Sequence, residues 1–310
     1  MVASMQPASS TPAPTISKPR FSTESLGYIF GFLGVFIFSF SLPFTRVAVK
    51  ELDPTFVGLG RALIAATLAV VTLLVTRQPI PTRKQFRGLA ITALGVVVGF
   101  PLFSAIALRF VPSAHGAIVN ALMPLGTAML GALVSRERPS AMFWVAAVIG
   151  SFTVIGFVLI SSGTHVETGD LAMLGAVALG SMGYVAGARM SKQIGSWQTI
   201  CWANVISAPV LLIPVLWSTQ YNTPHPSTQA WLAFAYLGVF SMFLGFFAWY
   251  RGLAIGGITR VSQVQLIQAF LTIMWSGLLL GEHITPLMLI AALIVVAAIF
   301  VARRAPIYAR

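Results

Sequence analysis

Three polar triplets stand at helical spacing inside otherwise apolar runs, and their side chains are the ones best placed to do chemistry. Ser39, Pro43 and Arg46 fall at i, i+4 and i+7, as do Asn120, Pro124 and Thr127, while Gln265, Gln268 and Thr272 follow i, i+3 and i+7. Hydroxyls and amides recognise partners by hydrogen bonding, so the chemistry on offer is solute binding in a shared pocket. The competing use is hydrogen bonding between helices, worth about 0.6 to 2 kcal/mol per bond. Asn120 and Gln265 carry extra weight because they match across an internal repeat. Adding 145 to each number lays residues 116–140, GAIVNALMPLGTAMLGALVSRERPS, on residues 261–285, VSQVQLIQAFLTIMWSGLLLGEHIT, without a gap, and sets Leu133 on Leu278 and Glu137 on Glu282.

Aromatic side chains form a second group. Tyr184, Trp202, Trp249 and Tyr250 are suited to stack on a flat or amphipathic solute, although most Trp and Tyr of membrane proteins anchor at the interface instead. Arg61 is the one charge well inside an apolar run. It sits about six residues into its run, so it either reaches the surface and serves structure or recognises an anion.

The acids exclude several classes of chemistry. Glu24, Glu51, Asp53, Glu137, Glu167, Asp170 and Glu282 all fall at the ends of runs or between them, so no carboxylate sits at mid-run to carry a proton or hold sodium. Glu137 and Glu282 are placed to cap the starts of the fifth and tenth runs, where a negative charge suits the helix dipole. No His-Glu-x-x-His helix or pair of buried aspartates is present, and His115, His165, His225 and His283 lie near run ends or in loops, which argues against a protease. The acids are not clustered as a magnesium-dependent transferase would need, and the single Cys201 forms neither a disulfide nor a cysteine-rich metal site within one chain. No catalytic residues, metal or cofactor are expected.

The elements that must position these residues are helices in a bilayer. Hydrophobic residues make up 57% of the 310 positions and charged residues 8%, with a mean hydropathy of +0.88, where a soluble domain would carry about 25% charge. Apolar runs occur at 27–49, 55–75, 88–108, 114–134, 141–160, 170–189, 198–217, 230–250, 258–280 and 286–303, each near the length that crosses the hydrocarbon as a helix. The expected fold class is all-α integral membrane, with ten transmembrane helices as two inverted five-helix repeats, because an odd number of spans gives the second copy the opposite orientation. The expected segments are a disordered cytoplasmic tail at 1–25, repeats at 26–160 and 171–303, a loop at 161–170 and a cytoplasmic tail at 304–310.

The net charge of +12 does not mark a nucleic-acid binder, because the bases are spread over separate loops. With the N-terminus inside, 15 of the 19 basic residues fall on the inner side, which predicts a multi-pass protein of the cell's inner membrane with both termini cytoplasmic. Small-residue pairs Gly27/Gly31, Gly95/Gly99 and Gly183/Gly187 predict close helix contacts, and Asp53-Pro54 predicts an N-cap followed by proline at the first helical position. The expected partners are a small-molecule substrate and the lipid bilayer, with a homodimer left open and nucleic acid excluded.

The stretches FSFSLPFTRVAVKELDPTFVGLGRALIAA at 38–66, ALRFVPSAHGAIVNALMPLGTAMLGALVSRERPS at 107–140 and GLAIGGITRVSQVQLIQAFLTIMWSGLLLGEHIT at 252–285 resemble the EamA-type branch of the drug/metabolite transporter superfamily. The resemblance spans roughly residues 26 to 302. It departs where Ala269 stands opposite Pro124 and where the first turn reads Ser-Arg-Glu-Arg. It implies movement of a small metabolite or amino acid, most often export, by alternating access through a cavity between the halves. The alternative is a membrane scaffold or sensor without transport, favoured if the polar faces interlock and leave no cavity.

Overall fold

Apolar segments with no water around them must satisfy their own N–H and C=O groups, which leaves the helix as the form open to runs of this kind. The computed structural model describes residues 23–134, 138–161, 167–304 and 307–308. Its helices are α1 (Thr23–Ser39), α2 (Ser41–Ala48), α3 (Pro54–Val75), α4 (Arg83–Thr92), α5 (Phe100–Phe110), α6 (Ser113–Asn120), α7 (Met123–Val134) and α8 (Ala141–Ser161). The second half follows with α9 (Thr168–Ile194), α10 (Ser196–Ser218), α11 (Thr228–Tyr236), α12 (Gly245–Gly256), α13 (Ile258–Val261), α14 (Gln265–Leu280) and α15 (Pro286–Arg304). Two-residue strands at Arg138–Pro139 and Ile307–Tyr308 pair antiparallel.

Among the described residues, seven helical segments are long and apolar enough to cross a membrane, the first being Ser25–Ala48 and the last Thr228–Gly256. Three shorter apolar stretches, Ala141–Phe157, Ile267–Leu280 and Pro286–Ala298, lie at the other three expected positions. Outward-facing residues such as Leu74, Val75, Val210 and Ile213 are more than 70% exposed, an apolar surface suited to lipid tails.

Several boundaries follow from local chemistry. Asp53 caps α3 by accepting from the N–H groups of Thr55 at 2.7 Å and Phe56 at 3.3 Å, with Pro54 next in line, as the sequence predicts. Thr82 and Gln85 form a capping box on α4. Gly281, in the left-handed region at φ 64°, ends α14 and turns the chain toward α15.

Two stretches depart from α geometry in the same way. Ala93–Gly99, between α4 and α5, and Leu237–Leu244, between α11 and α12, are π-helical. Adding 145 to 93–99 gives 238–244, so the two fall at one place in the repeat. Proline explains a third irregularity: Pro124 has no N–H to give to the carbonyl of Asn120, and α6 ends there. The second repeat breaks without proline and a few residues earlier in its own frame, through a 3-10 turn at Ser262–Val264.

Helix packing is reciprocal between the halves. α1 packs on α12 and its counterpart α9 packs on α5; α1 meets α14 and α9 meets α7. α3 pairs with α10 and α8 with α15, each with its own equivalent, and α6 meets α14 as α13 meets α7. This is the pattern that a two-fold relation between the two repeats produces. Glycine permits the closest seams. A Cβ on Gly95 would stand 2.5 Å from the Gly183 Cα, and one on Gly27 would stand 2.5 Å from the Gly256 Cα.

Candidate functional site

The two sets of helices meet around a narrow, largely buried cleft of about 20 Å³, closed down by side chains from both repeats. From the first repeat it is lined by Phe38, Ser41, Leu42, Arg61, Val96, Phe100 and Met123. The second repeat contributes Tyr184, Ser241, Met242, Phe246 and Gln268. Val96, Ser241 and Met242 belong to the two π-helical stretches, and Phe100 and Phe246 stand one and two residues beyond them. The local surplus of backbone is thus what turns these side chains toward the cleft, a placement common for π-bulges.

Arg61 is 2% exposed, so it does not reach the surface. Its Nε has no hydrogen-bond partner, and among the described residues that line the cleft it is the only charged side chain. It lies within electrostatic reach of Tyr184, whose hydroxyl interacts with the side chain of Gln265. Gln265 also donates through Nε2 to the Met123 sulfur at 3.6 Å, while its Oε1, like that of Gln268, has no partner.

Tyr184 and Trp249 are buried in the core and not at an interface. Their rings lie 5.3 Å apart, and Phe246 stands 6.1 Å from Tyr184 and 5.0 Å from Phe38, which makes an aromatic wall behind the cleft. Tyr250, also fully buried, donates its hydroxyl to the Gly183 carbonyl at 3.3 Å.

Other expected site residues lie elsewhere. Ser39 is taken up in a helix seam: its Oγ donates to the Phe36 carbonyl at 2.7 Å and accepts from Trp275 Nε1 at 3.0 Å, while its carbonyl accepts from Thr272 at 2.9 Å. Pro43 is buried within α2, and Trp202 is half-buried at the edge of the core. Neither lines the cleft. The triplet of Ser39, Pro43 and Arg46 spans the turn at Phe40 between α1 and α2, and none of the three lines the cleft. Arg46 instead donates to the carbonyls of Leu108 and Arg109 at the end of α5. Asn120 closes α6 just before the break ahead of Pro124; it is 7% exposed, its Oδ1 has no partner, and neither residue lines the cleft.

The sequence reading missed the Ser41 and Ser241 pair, whose Oγ atoms lie 2.8 Å apart across the two repeats. Ser41 follows the break at Phe40 and Ser241 sits in a π-helical stretch, so ideal helical projection points neither of them correctly.

One end of the bundle is closed by carboxylates that cross between the halves. Glu51 accepts from the N–H and Oγ of Ser227. These bonds, the backbone one first, hold the Glu51 carboxyl below the usual carboxylate range against a small opposing effect of desolvation. His115 Nε2 and Asp170 Oδ1 are 2.6 Å apart. Glu282 corrects an expectation: it does not cap α15, whose first turn is bonded to Thr285, but reaches across to cap α6. Gly281 turns the chain away before α15 begins and leaves the carboxylate facing the other repeat. Glu137 lies outside the described residues.

A model of the EamA-like transporter family matches this chain twice, over residues 25–162 and 167–304. Over 278 residues the chain is 42% identical to the uncharacterized transporter YdeK of Bacillus subtilis, a match covering 90% of this chain and 97% of that protein. It is 25% identical over 253 residues to an uncharacterized transporter of Archaeoglobus fulgidus, covering 78% of this chain and 85% of the relative. A crystal structure of a protein 18% identical in sequence shares the fold with a TM-score of 0.68 over 91% of this chain and 99% of its own.

Proposed function

The chain belongs to the EamA-like transporter family, a family of membrane transporters and not of enzymes, and from that premise we propose that it is a secondary carrier working by alternating access. In this reading ten helices cross the cell's inner membrane as two inverted five-helix repeats, with both termini in the cytoplasm. The solute is a small organic metabolite, amino acids and their relatives being the expected class, and export is the expected direction.

The observation that carries the reading is the cleft itself: it is buried, and both repeats line it. Three side-chain links between the repeats, Glu51 to Ser227, His115 to Asp170 and Glu282 to Ser113, supply a closed gate at one end. A scaffold would draw on the Ser39, Thr272 and Trp275 seam, but a scaffold has no use for polar groups that line a buried cleft.

The test is counterflow of a labelled metabolite panel in proteoliposomes holding the full chain. A carrier accelerates entry of labelled solute when the same solute is preloaded inside, and a scaffold leaves entry at the rate of empty liposomes. Gln268→Ala, which alters the lining, is expected to slow counterflow, whereas a substitution on the lipid-facing side such as Ile213→Val is expected to leave it unchanged.

A further inference from the structure

We propose that the cleft binds its solute by a single carboxylate held by Arg61, and that the solute is therefore a monocarboxylate with an apolar body, and not an amine, an amide or a multiply charged anion. This rests on the carrier reading and narrows it to a substrate class.

Arg61 is the eighth residue of α3, so its Cα lies roughly 10 Å along the helix axis from the capped start at Asp53. A guanidinium keeps its charge in proteins, so Arg61 cannot escape burial by losing a proton. Its side chain is enclosed, its Nε has no partner, and no ion pair to it occurs among the described residues. Carboxylates that might neutralise it are committed at the closed end of the bundle. Glu51 holds Ser227, Asp53 caps α3, Asp170 meets His115 and Glu282 caps α6. A buried charge left in this way is costly, and such groups inside membrane segments mark solute pathways.

The surroundings say what would complete it. A guanidinium presents parallel N–H donors that fit the two oxygens of a carboxylate. With one positive charge among the described lining residues, charge balance is reached by one carboxylate, and a phosphate ester or dicarboxylate would bring an uncompensated second charge. An amine would meet Arg61 with like charge and find no carboxylate in the lining. Beside Arg61 stand the Tyr184 hydroxyl and the Gln268 amide, whose Oε1 is without a partner and can accept from a solute N–H or O–H. Phe38, Phe246 and Met242 supply apolar contact for the rest of the molecule.

The experiment uses the full chain in proteoliposomes and a panel of aliphatic, branched and aromatic monocarboxylates and α-amino acids. Each is paired with its amide and with an amine of the same skeleton, and dicarboxylates and a phosphate ester are added. Wild type is expected to exchange one or more of the acids at least roughly tenfold faster than the paired amide and amine, with Arg61→Gln losing roughly ten- to hundredfold and Arg61→Lys keeping part of the rate. Melting temperatures of the detergent-purified variants separate binding from folding: Arg61→Met is expected to melt at or above wild type, because it removes an uncompensated charge.

Amides or amines moving as fast as acids, or Arg61→Gln exchanging acids at the wild-type rate, would overturn the anion site and leave the carrier standing. A collapse of Arg61→Met and Arg61→Gln to unfolded protein would assign Arg61 to structure and overturn the proposal equally. If no compound is exchanged by folded wild type, the carrier reading itself fails and this inference falls with it.

Discussion

Glu282, matched to the second repeat, holds the start of α6 in the first through its contacts with Ser113 and Ala114. Its carboxylate accepts from the Ser113 N–H at 2.9 Å, the Ser113 hydroxyl at 2.9 Å and the Ala114 N–H at 2.8 Å. A helix start leaves N–H groups without partners, and here the other half of the molecule supplies them. The cap is therefore also a tie between the two bodies that a carrier must move apart.

Replacing Glu282 with Ala should lower stability by about 1 kcal/mol, the usual cost of losing a cap, and Glu282→Gln by less. Hydrogen exchange should rise at the first turn of α6 and not at α15. Unchanged exchange at Ser113 and Ala114 in Glu282→Ala would show that the tie does not hold the helix start.

The His115 and Asp170 pair is buried, with side chains 7% and 1% exposed, so removing one partner takes a short bond from a buried ionisable group. Asp170→Asn and His115→Gln should each destabilise by several times the cost of a surface pair, and a double-mutant cycle should show a coupling of about 0.5 to 3 kcal/mol. Additive losses in thermal unfolding would show that the two side chains do not act as a unit.

Acid should loosen the Glu51 tie. Because the folded carboxyl lies below its usual range, its contribution is present above the ordinary carboxylate pKa of about 4.3 and is lost as pH falls through the lower folded value. Over pH about 6 to about 3, Glu51→Gln should therefore show a flatter dependence of melting temperature on pH than wild type. Parallel curves would sink this assignment.

Gly95→Ala should be destabilising by about 1 to 3 kcal/mol, since the new Cβ meets backbone atoms of Gly183 that cannot swing aside. Gly156 makes the control: nothing lies within 4 Å of a Cβ there, and Ala should be neutral or up to about 1 kcal/mol better through helix propensity. Equal melting temperatures for the two variants would remove close backbone approach as the reason for glycine at position 95.

Much of the architecture was written locally. The Asp53-Pro54 start needs only neighbouring residues, and the 145-residue offset needs only comparison of the chain with itself. The glycine pairs at 27/31, 95/99 and 183/187 were legible as close seams, though not which helix each would meet. The cleft was less legible, for a geometric reason. Spacing grouped Ser39 with Pro43 and Arg46, but Ser39 is taken up by Trp275 and Thr272 while its near neighbour Ser41 lines the cleft, and which neighbour a face meets is set by helices 200 or more residues away in sequence. Gln265 and Gln268 share the uninterrupted α14: Gln268 lines the cleft, and Gln265 stands beside it against Tyr184 and Met123. Glu282 was misplaced because its partner is 169 residues away in sequence, beyond anything periodicity can report.

The paired π-helical stretches are a property of backbone and not of composition. Each holds a helix surplus at the same coordinate of its repeat, Ala93–Gly99 and Leu237–Leu244, although the residues filling the two differ throughout. No one residue type dictates the irregularity, so each half can exchange the side chains it presents there and keep the same path of the chain.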